Sequence, residues 1–504
     1  MTVRACAAAC LVVLLAAASL ACALYFWRTQ PHSLVFNSDI LVVVDFFHDL
    51  SNFPAVVSQF QFPRVPSFIP DMLALTAVAT AFPDFHLAMF AYAVVQSFGF
   101  LIAATWLVSV CTDKSAIRCG IAVAMLTVVS LLLNGAFAPL FGLTYVSFFT
   151  PVMHFGSLIL SLIAVGIFLK LLEKPEKLRW TLLALISTAA LASDKIFILT
   201  FIAPALITAL VLSRQGRIKI SFVLGLGALL GLSLVAANLL LKLVLLQPGL
   251  PIVKVLVRAV GFVRVFAAQI AEYPITYLCL LIGPLVFVAA SPWLVRFPSR
   301  LKATWLLGGL AMLATLGFTA AFFADFNSLR YWPAMIGWPI ILAASVLVLT
   351  VPHGLFRVIG PLAAAVVVAF CGFEIHAASL AGLRAWHDPL ADCLMREQQD
   401  LGLREGLADF WLARPAVISS NWRLQIEQLL RGRYTVWGNN AYWVSHSRLR
   451  IGEPPVFNYI VLGPLNPYFE VTEYFGAPAR TAECAGHQIW IYDRPLDPLK
   501  DARN

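Results

Sequence analysis

Residues 1 to about 378 are a succession of apolar runs, each about 20 residues long and separated by short polar loops, and few folds accommodate such a pattern. A helix of that length crosses a hydrocarbon layer of about 30 Å, and in lipid every backbone N–H and C=O must be satisfied inside the element. The pattern predicts a polytopic α-helical membrane protein with about 11 transmembrane helices. One covers about Ala5 to Trp27, and the others centre near residues 98, 127, 162, 187, 204, 231, 284, 312, 341 and 368. Trp180 to Ala192 is short for a crossing and reads as half of a tight helical pair with the next run. Ser19-Leu20-Ala21 loosely resembles a signal cleavage site, but the length of the first run suits an uncleaved anchor. Only 12% of residues are charged, against about 25% in soluble domains, which excludes a water-soluble reading.

Charge sets the expected orientation. Lys114 and Arg118, then Lys174, Lys177 and Arg179, then Arg214, Arg217 and Lys219, then Arg296, Arg300 and Lys302, then Arg357 fall in alternate short loops, the bias expected of cytoplasmic loops. The net charge of +9 is explained by that bias, so it gives no reason to expect nucleic acid as a partner. An odd number of spans places the loop over residues 28–86 and the tail over 379–504 on the opposite side of the bilayer.

The tail has the composition of a small soluble domain, rich in Arg, Glu, Asp, Asn, Trp and Tyr. Leu401 to Leu412 has helical spacing, whereas 416–418, 434–437, 459–462 and 488–492 read as short strands, so a small extracytoplasmic α/β unit is expected. Its aromatic residues either fill a core or stack on sugar rings. Cys393 and Cys484 are the two cysteines in the tail; outside the cytoplasm they are able to form a disulfide.

Charged groups next to lipid are costly, so those in or beside the spans are candidate functional residues. The first outer loop carries Asp39, Asp45, His48, Asp49 and Asp71 among apolar residues. A partly desolvated carboxylate has a raised pKa and can act as a general base, and Asp39 and Asp71 are the catalytic candidates; each also suits a helix cap or turn. His154 opens a span, as a base or as a hydrogen-bonded core residue. Asp194 and Lys195 share a short turn, where they pair with each other or face a common cavity. Lys254, Arg258 and Arg264 run against the charge bias on the outer side, as a bound phosphate would explain. Arg330 either clamps an anionic headgroup or snorkels to lipid phosphates, and Tyr331 beside it suits the interface. No metal-ligand spacing occurs; the Asp and His set is compatible with a divalent cation without requiring one. Gly-rich phosphate loops, nucleophile elbows and HExxH signatures are absent.

The first span followed by an acidic outer loop, the Ser38-Asp39 and Pro70-Asp71 acids, Ser193-Asp194-Lys195, and Arg330-Tyr331 near a late span together resemble the C-type (GT-C) integral-membrane glycosyltransferases. That superfamily includes protein mannosyltransferases and bacterial transferases that decorate lipid A. The adjacent acidic pair usual after the first span in that family does not occur here. The resemblance implies sugar transfer, with inversion, from a polyprenyl-phosphate donor to an envelope glycan, lipid or protein acceptor on the outer face of a bacterial inner membrane. Asp39 or Asp71 would be the base, the cations would hold the departing phosphate, and no nucleotide would be needed. A transporter or flippase of a lipid-linked or anionic substrate, or a non-catalytic envelope assembly factor, fits the same spans; no internal repeat of the transporter kind is evident.

Overall fold

A computed structural model of the chain describes residues 3–137, 141–246, 284–285, 298–322, 331–384 and 386–499. The contacts divide it into two units: residues 1–30, 65–241 and 249–383 form the first, and 31–64, 242–248 and 384–504 the second. The C-terminal part of the second unit begins at residue 384. That unit also takes in much of the 28–86 loop that the sequence assigned to the membrane part, because those residues pack on the tail.

The helices of both units are numbered together along the chain. They are α1 (Val3–Thr29), α2 (Ser38–Asn52), α3 (Leu73–Ala81), α4 (Phe85–Thr112), α5 (Ala116–Phe137), α6 (Phe141–Phe149), α7 (Phe155–Glu173) and α8 (Lys177–Ser193). There follow α9 (Ala203–Arg214), α10 (Ile220–Leu241), α11 (Ser299–Phe322), α12 (Pro333–Thr350), α13 (His353–Ala377), α14 (Pro389–Glu397), α15 (Phe410–Ser419) and α16 (Tyr468–Phe475).

Among the described residues of the first unit, eight helices are long and apolar enough to cross a membrane: Ala5–Thr29, Phe85–Thr112, Ala116–Leu133, Phe155–Glu173, Ile220–Leu241, Ser299–Thr319, Pro333–Thr350 and His353–Ala377. The other three expected spans, near residues 187, 204 and 284, resolve differently. The run near 187 is the 17-residue α8, which packs against α7 and α10, and the run near 204 is the shorter apolar helix Ile198–Arg214, which packs against α11 and α10. Most of the run near 284 lies outside the described residues. α1 packs against α4, α5 and α13, and α4 also packs against α7 and α12. Leu224, Leu232, Val235 and Leu239 on α10 and Val358, Leu362 and Val366 on α13 are exposed, apolar stripes of the kind that face hydrocarbon.

In the second unit, six strands are β3 (Glu405–Asp409), β4 (Ile426–Leu430), β5 (Arg433–Tyr434), β6 (Phe457–Val461), β7 (Arg480–Cys484) and β8 (His487–Ile491), in the order β5-β4-β3-β6-β8-β7. A separate parallel pair joins β1 (Gln61–Phe62) to β2 (Leu245–Leu246). β3 runs parallel to both neighbours and is buried along its whole length, as a central strand covered on both faces must be. One face packs Leu394, Leu403, Ala413 and Tyr459, the other Leu407, Phe457, Val471 and Trp490.

The expected strands at 459–462 and 488–492 are β6 and β8. The 401–412 helix is instead strand β3, and 416–418 is the end of helix α15. Asp409 decides the latter: its carboxylate accepts from the N–H groups of Trp411 (2.9 Å) and Leu412 (3.1 Å), capping a helix where a short apolar run alone is ambiguous. Cys393 and Cys484 form a disulfide that ties α14 to β7.

Candidate functional site

The first unit gathers its polar side chains where three chain breaks meet. α8 ends at Ser193, and Asp194 follows in an extended conformation. Asp194 Oδ1 accepts from the Ile196 N–H at 2.9 Å, a local turn that fixes the carboxylate, and its Oδ2 lies 2.8 Å from His154 Nδ1. Both residues are 5% exposed. Ser193 is itself pinned to the segment before α3: its carbonyl accepts from Ser67 N–H (2.9 Å) and its hydroxyl from Ile69 N–H (2.8 Å).

His154 sits at the start of α7 after a turn in which Val152 (φ 58°) and His154 (φ 66°) are left-handed. For a β-branched residue that conformation costs on the order of 1–3 kcal/mol and persists only where surrounding contacts enforce it. Here they come from α4. Gln96 Nε2 donates to the carbonyls of Phe148 (2.8 Å), Ser147 (3.0 Å) and Thr150 (3.3 Å). The Tyr92 hydroxyl, one turn away on α4, touches Gln96 Oε1 and lies 2.7 Å from Asp71 Oδ1. Asp71 is 3% exposed, in the connection before α3. Burial pushes its carboxyl up to about 7; the Tyr92 bond opposes the shift, and the nearby Asp194 charge adds to it. Gly156 makes room, since a side chain there would run into the Asp71 carboxyl and the Pro70 ring.

His154, Asp194, Lys195 and Tyr331 line a half-open cavity of about 240 Å³ whose remaining wall is apolar, with Val65, Ile196, Ile198, Leu199 and Phe318. The His154 and Tyr331 rings are 4.4 Å apart. A histidine whose Nδ1 proton is held by a carboxylate keeps Nε2 as the basic nitrogen, the arrangement that suits a general base. Lys195 is exposed at the rim and supplies a positive charge.

Four candidates belong to the second unit instead. Asp39, Asp45, His48 and Asp49 all lie on α2, so the two acids expected to share a base role, Asp39 and Asp71, fall in different units. Asn37 caps α2 by accepting from Asp39 N–H (3.1 Å) and Ile40 N–H (3.2 Å). One turn apart, Asp45 and Asp49 share Arg448, at 3.2 and 3.4 Å. Asp49 also accepts from Trp443 Nε1 (2.8 Å) and Asn440 Nδ2 (2.9 Å), while Trp422 Nε1 reaches Asp45 (3.3 Å) and its ring stacks on His48 at 3.8 Å. Arg414 donates to the carbonyls of Ser38 (2.5 Å) and Gly438 (2.6 Å), the latter at φ 61°. These groups are consumed in holding α2 on the sheet. Burial disfavours the Asp49 charge, but His48, Arg448, Trp443 and Asn440 outweigh it and hold the carboxyl below its usual range.

Glu427 joins the same cluster. Burial pushes it up to about 7 from 4.5; Arg448 pulls it back, and the Asp45 and Asp49 charges push it further up. The folded chain thus holds this proton more tightly than the unfolded one, so the stability it contributes is full below pH 4.5 and is lost as pH rises to about 7. Glu427→Gln is expected to flatten that fall, measured as the thermal midpoint of the detergent-solubilised chain across the same pH interval; an unchanged slope would refute the assignment.

Lys254, Arg258, Arg264 and Arg330 lie outside the described residues. Sequence reasoning missed Tyr92 and Gln96, although a Tyr and a Gln four residues apart in an apolar helix were a usable signal, since lipid-embedded amides need partners. Among the described residues, no three His, Cys, Asp or Glu side chains group as a metal site. No protein-family model matches the chain, and no curated protein is significantly similar to it.

Proposed function

We propose that the chain is a multispan glycosyltransferase of a bacterial inner membrane, moving a sugar from a polyprenyl-phosphate donor to an acceptor hydroxyl of an envelope glycan, lipid or protein on the outer face. One observation carries this reading: a carboxylate-held histidine, a lysine and a tyrosine share a cavity in the unit that holds the long apolar helices. The eight long apolar helices among the described residues support the multispan part of this reading. The Cys393–Cys484 disulfide supports an extracytoplasmic tail, because such bonds persist in oxidising compartments.

In the reaction, His154 Nε2 takes the acceptor hydroxyl proton as the acceptor oxygen forms its bond to the anomeric carbon. The bond from that carbon to the phosphate oxygen breaks from the opposite side, and its electron pair leaves on the polyprenyl phosphate. Asp194 stabilises the imidazolium that forms, and Lys195 balances the phosphate charge where it develops. Of the groups considered as base in the first unit, His154 is favoured over Asp71, because His154 lines the cavity and Asp71 is enclosed by protein.

The test uses purified full-length chain in proteoliposomes with polyprenyl-phosphate carrying a labelled sugar and an envelope extract as acceptor. Label is expected to move into the extract, and a phosphatase fused after the tail is expected to be active outside the cytoplasm. Absence of transfer with several donor sugars, or a cytoplasmic tail, would reject the proposal.

A further inference from the structure

The hydrogen bonds behind the His154 turn can be counted. Gln96 Nε2 faces three carbonyl oxygens, those of Ser147, Phe148 and Thr150, which only accept. The amide is therefore oriented without ambiguity, and its Oε1 must be the atom that meets the Tyr92 hydroxyl. That hydroxyl also meets Asp71 Oδ1. Three oxygens thus make two contacts in a row, and each contact needs one hydrogen. Tyr92 brings one, and Gln96 Oε1 brings none. An ionised Asp71 would leave two acceptors competing for a single proton, with Tyr92 1%, Asp71 3% and Gln96 5% exposed, too little for bulk solvent to make up the deficit.

We propose that Asp71 is kept as the neutral carboxylic acid, its Oδ1–H donated to Tyr92 and the Tyr92 hydroxyl donated to Gln96, and that this relay positions the His154 turn. Asp71 is then a positioning residue and takes no proton from substrate. The relay ties together the connection before α3, the helix α4, and residues 147–154, which include the left-handed Val152 and His154. The charged and titratable groups that face Asp71 are Tyr92 from α4, His154 from the turn and Asp194 from the end of α8. Asp194 Oδ2 is engaged with His154 Nδ1 at 2.8 Å, and two neighbouring carboxylate charges disfavour one another. The Val152 N–H also reaches the Asp71 carboxyl, so a neutral acid or an amide at position 71 satisfies both neighbours: it donates to Tyr92 and accepts from Val152.

This rests on the reading of His154 as the base, and the experiment separates the two. In the full-length chain, Asp71→Asn keeps a donor toward Tyr92 and is expected to retain transfer within a few-fold of wild type. Asp71→Ala and Tyr92→Phe orphan buried polar groups and are expected to lose about tenfold or more. Independently of any activity, the infrared difference between wild type and Asp71→Asn near neutral pH is expected to show the carbonyl band of a protonated carboxylic acid. A carboxylate band in its place, or Asp71→Asn as inactive as Asp71→Ala, overturns the proposal. If wild type transfers no sugar, the function reading fails, and the infrared measurement alone still decides the protonation of Asp71.

Discussion

A His154→Ala variant is expected to transfer sugar about 10²–10⁴-fold more slowly than wild type at unchanged protein level, the usual contribution of a positioned general base. The size of the effect follows from the absence of a substitute. Asp194 addresses the imidazole through Nδ1 at 2.8 Å and cannot itself reach past the ring, and an ammonium such as that of Lys195 only donates. Asp194→Asn should give a loss of similar kind, because an amide presents its donor or its acceptor to Nδ1 without fixing the ring's tautomer or stabilising its positive charge. Initial rates with labelled donor, taken with the thermal midpoint of each variant, check this. Full activity in His154→Ala would remove the histidine from the chemistry, whatever became of the sugar-transfer reading.

Removing Arg448 is expected to destabilise the second unit by about 3–5 kcal/mol, the scale for stripping one partner from a buried charge cluster. The side chain is 7% exposed and serves two carboxylates, Asp45 and Asp49, of which Asp49 is fully buried. Their intrinsic attraction is not the source of the penalty; two buried carboxylates stripped of their shared guanidinium are, with only Arg414 at 3.9 Å from Asp45 and His48 at 3.6 Å from Asp49 left nearby. That distinction is measurable. Adding Asp45→Asn and Asp49→Asn to Arg448→Met should recover a good part of the lost stability, since neutral groups there cost less than unpaired charges. Limited proteolysis of the full-length chain, followed at sites in the tail, reports the difference. A tail that resists cleavage equally in wild type and Arg448→Met would show that the cluster is not holding the unit together.

Those two results address the parts that were respectively most and least legible in the residues. The long apolar helices were readable because about 20 consecutive apolar residues admit almost one structure. Asp194-Lys195 and His154 were picked out by the cost of placing polar groups between apolar runs, and the structure brings them to one cavity. The acids of the first outer loop carried the same signal and a different outcome. Asp45 and Asp49 lie on one face of α2, four residues apart, and what that face meets is Arg448, which no local pattern reveals. In the tail, a five-residue buried strand at Glu405–Asp409 read as helix because its neighbours supply apolar residues at helical spacing, whereas Asp409 then starts a helix through residues whose apolar side chains suggested a strand. Short apolar runs carry too little periodicity to separate the two, and the cap is the deciding atom-level event.

Arg448 and Asp45 are 403 residues apart in the chain. During synthesis the α2 carboxylates are made long before the guanidinium that neutralises them, and the strand Leu245–Leu246 that pairs with Gln61–Phe62 arrives between the two. A ribosome must add 403 residues beyond Asp45 before that unit can close, so its closure waits on the synthesis of the segment that carries Arg448. An excised 384–504 fragment would be missing α2 and both of those short strands, and it is the wrong piece to express as a stand-alone domain.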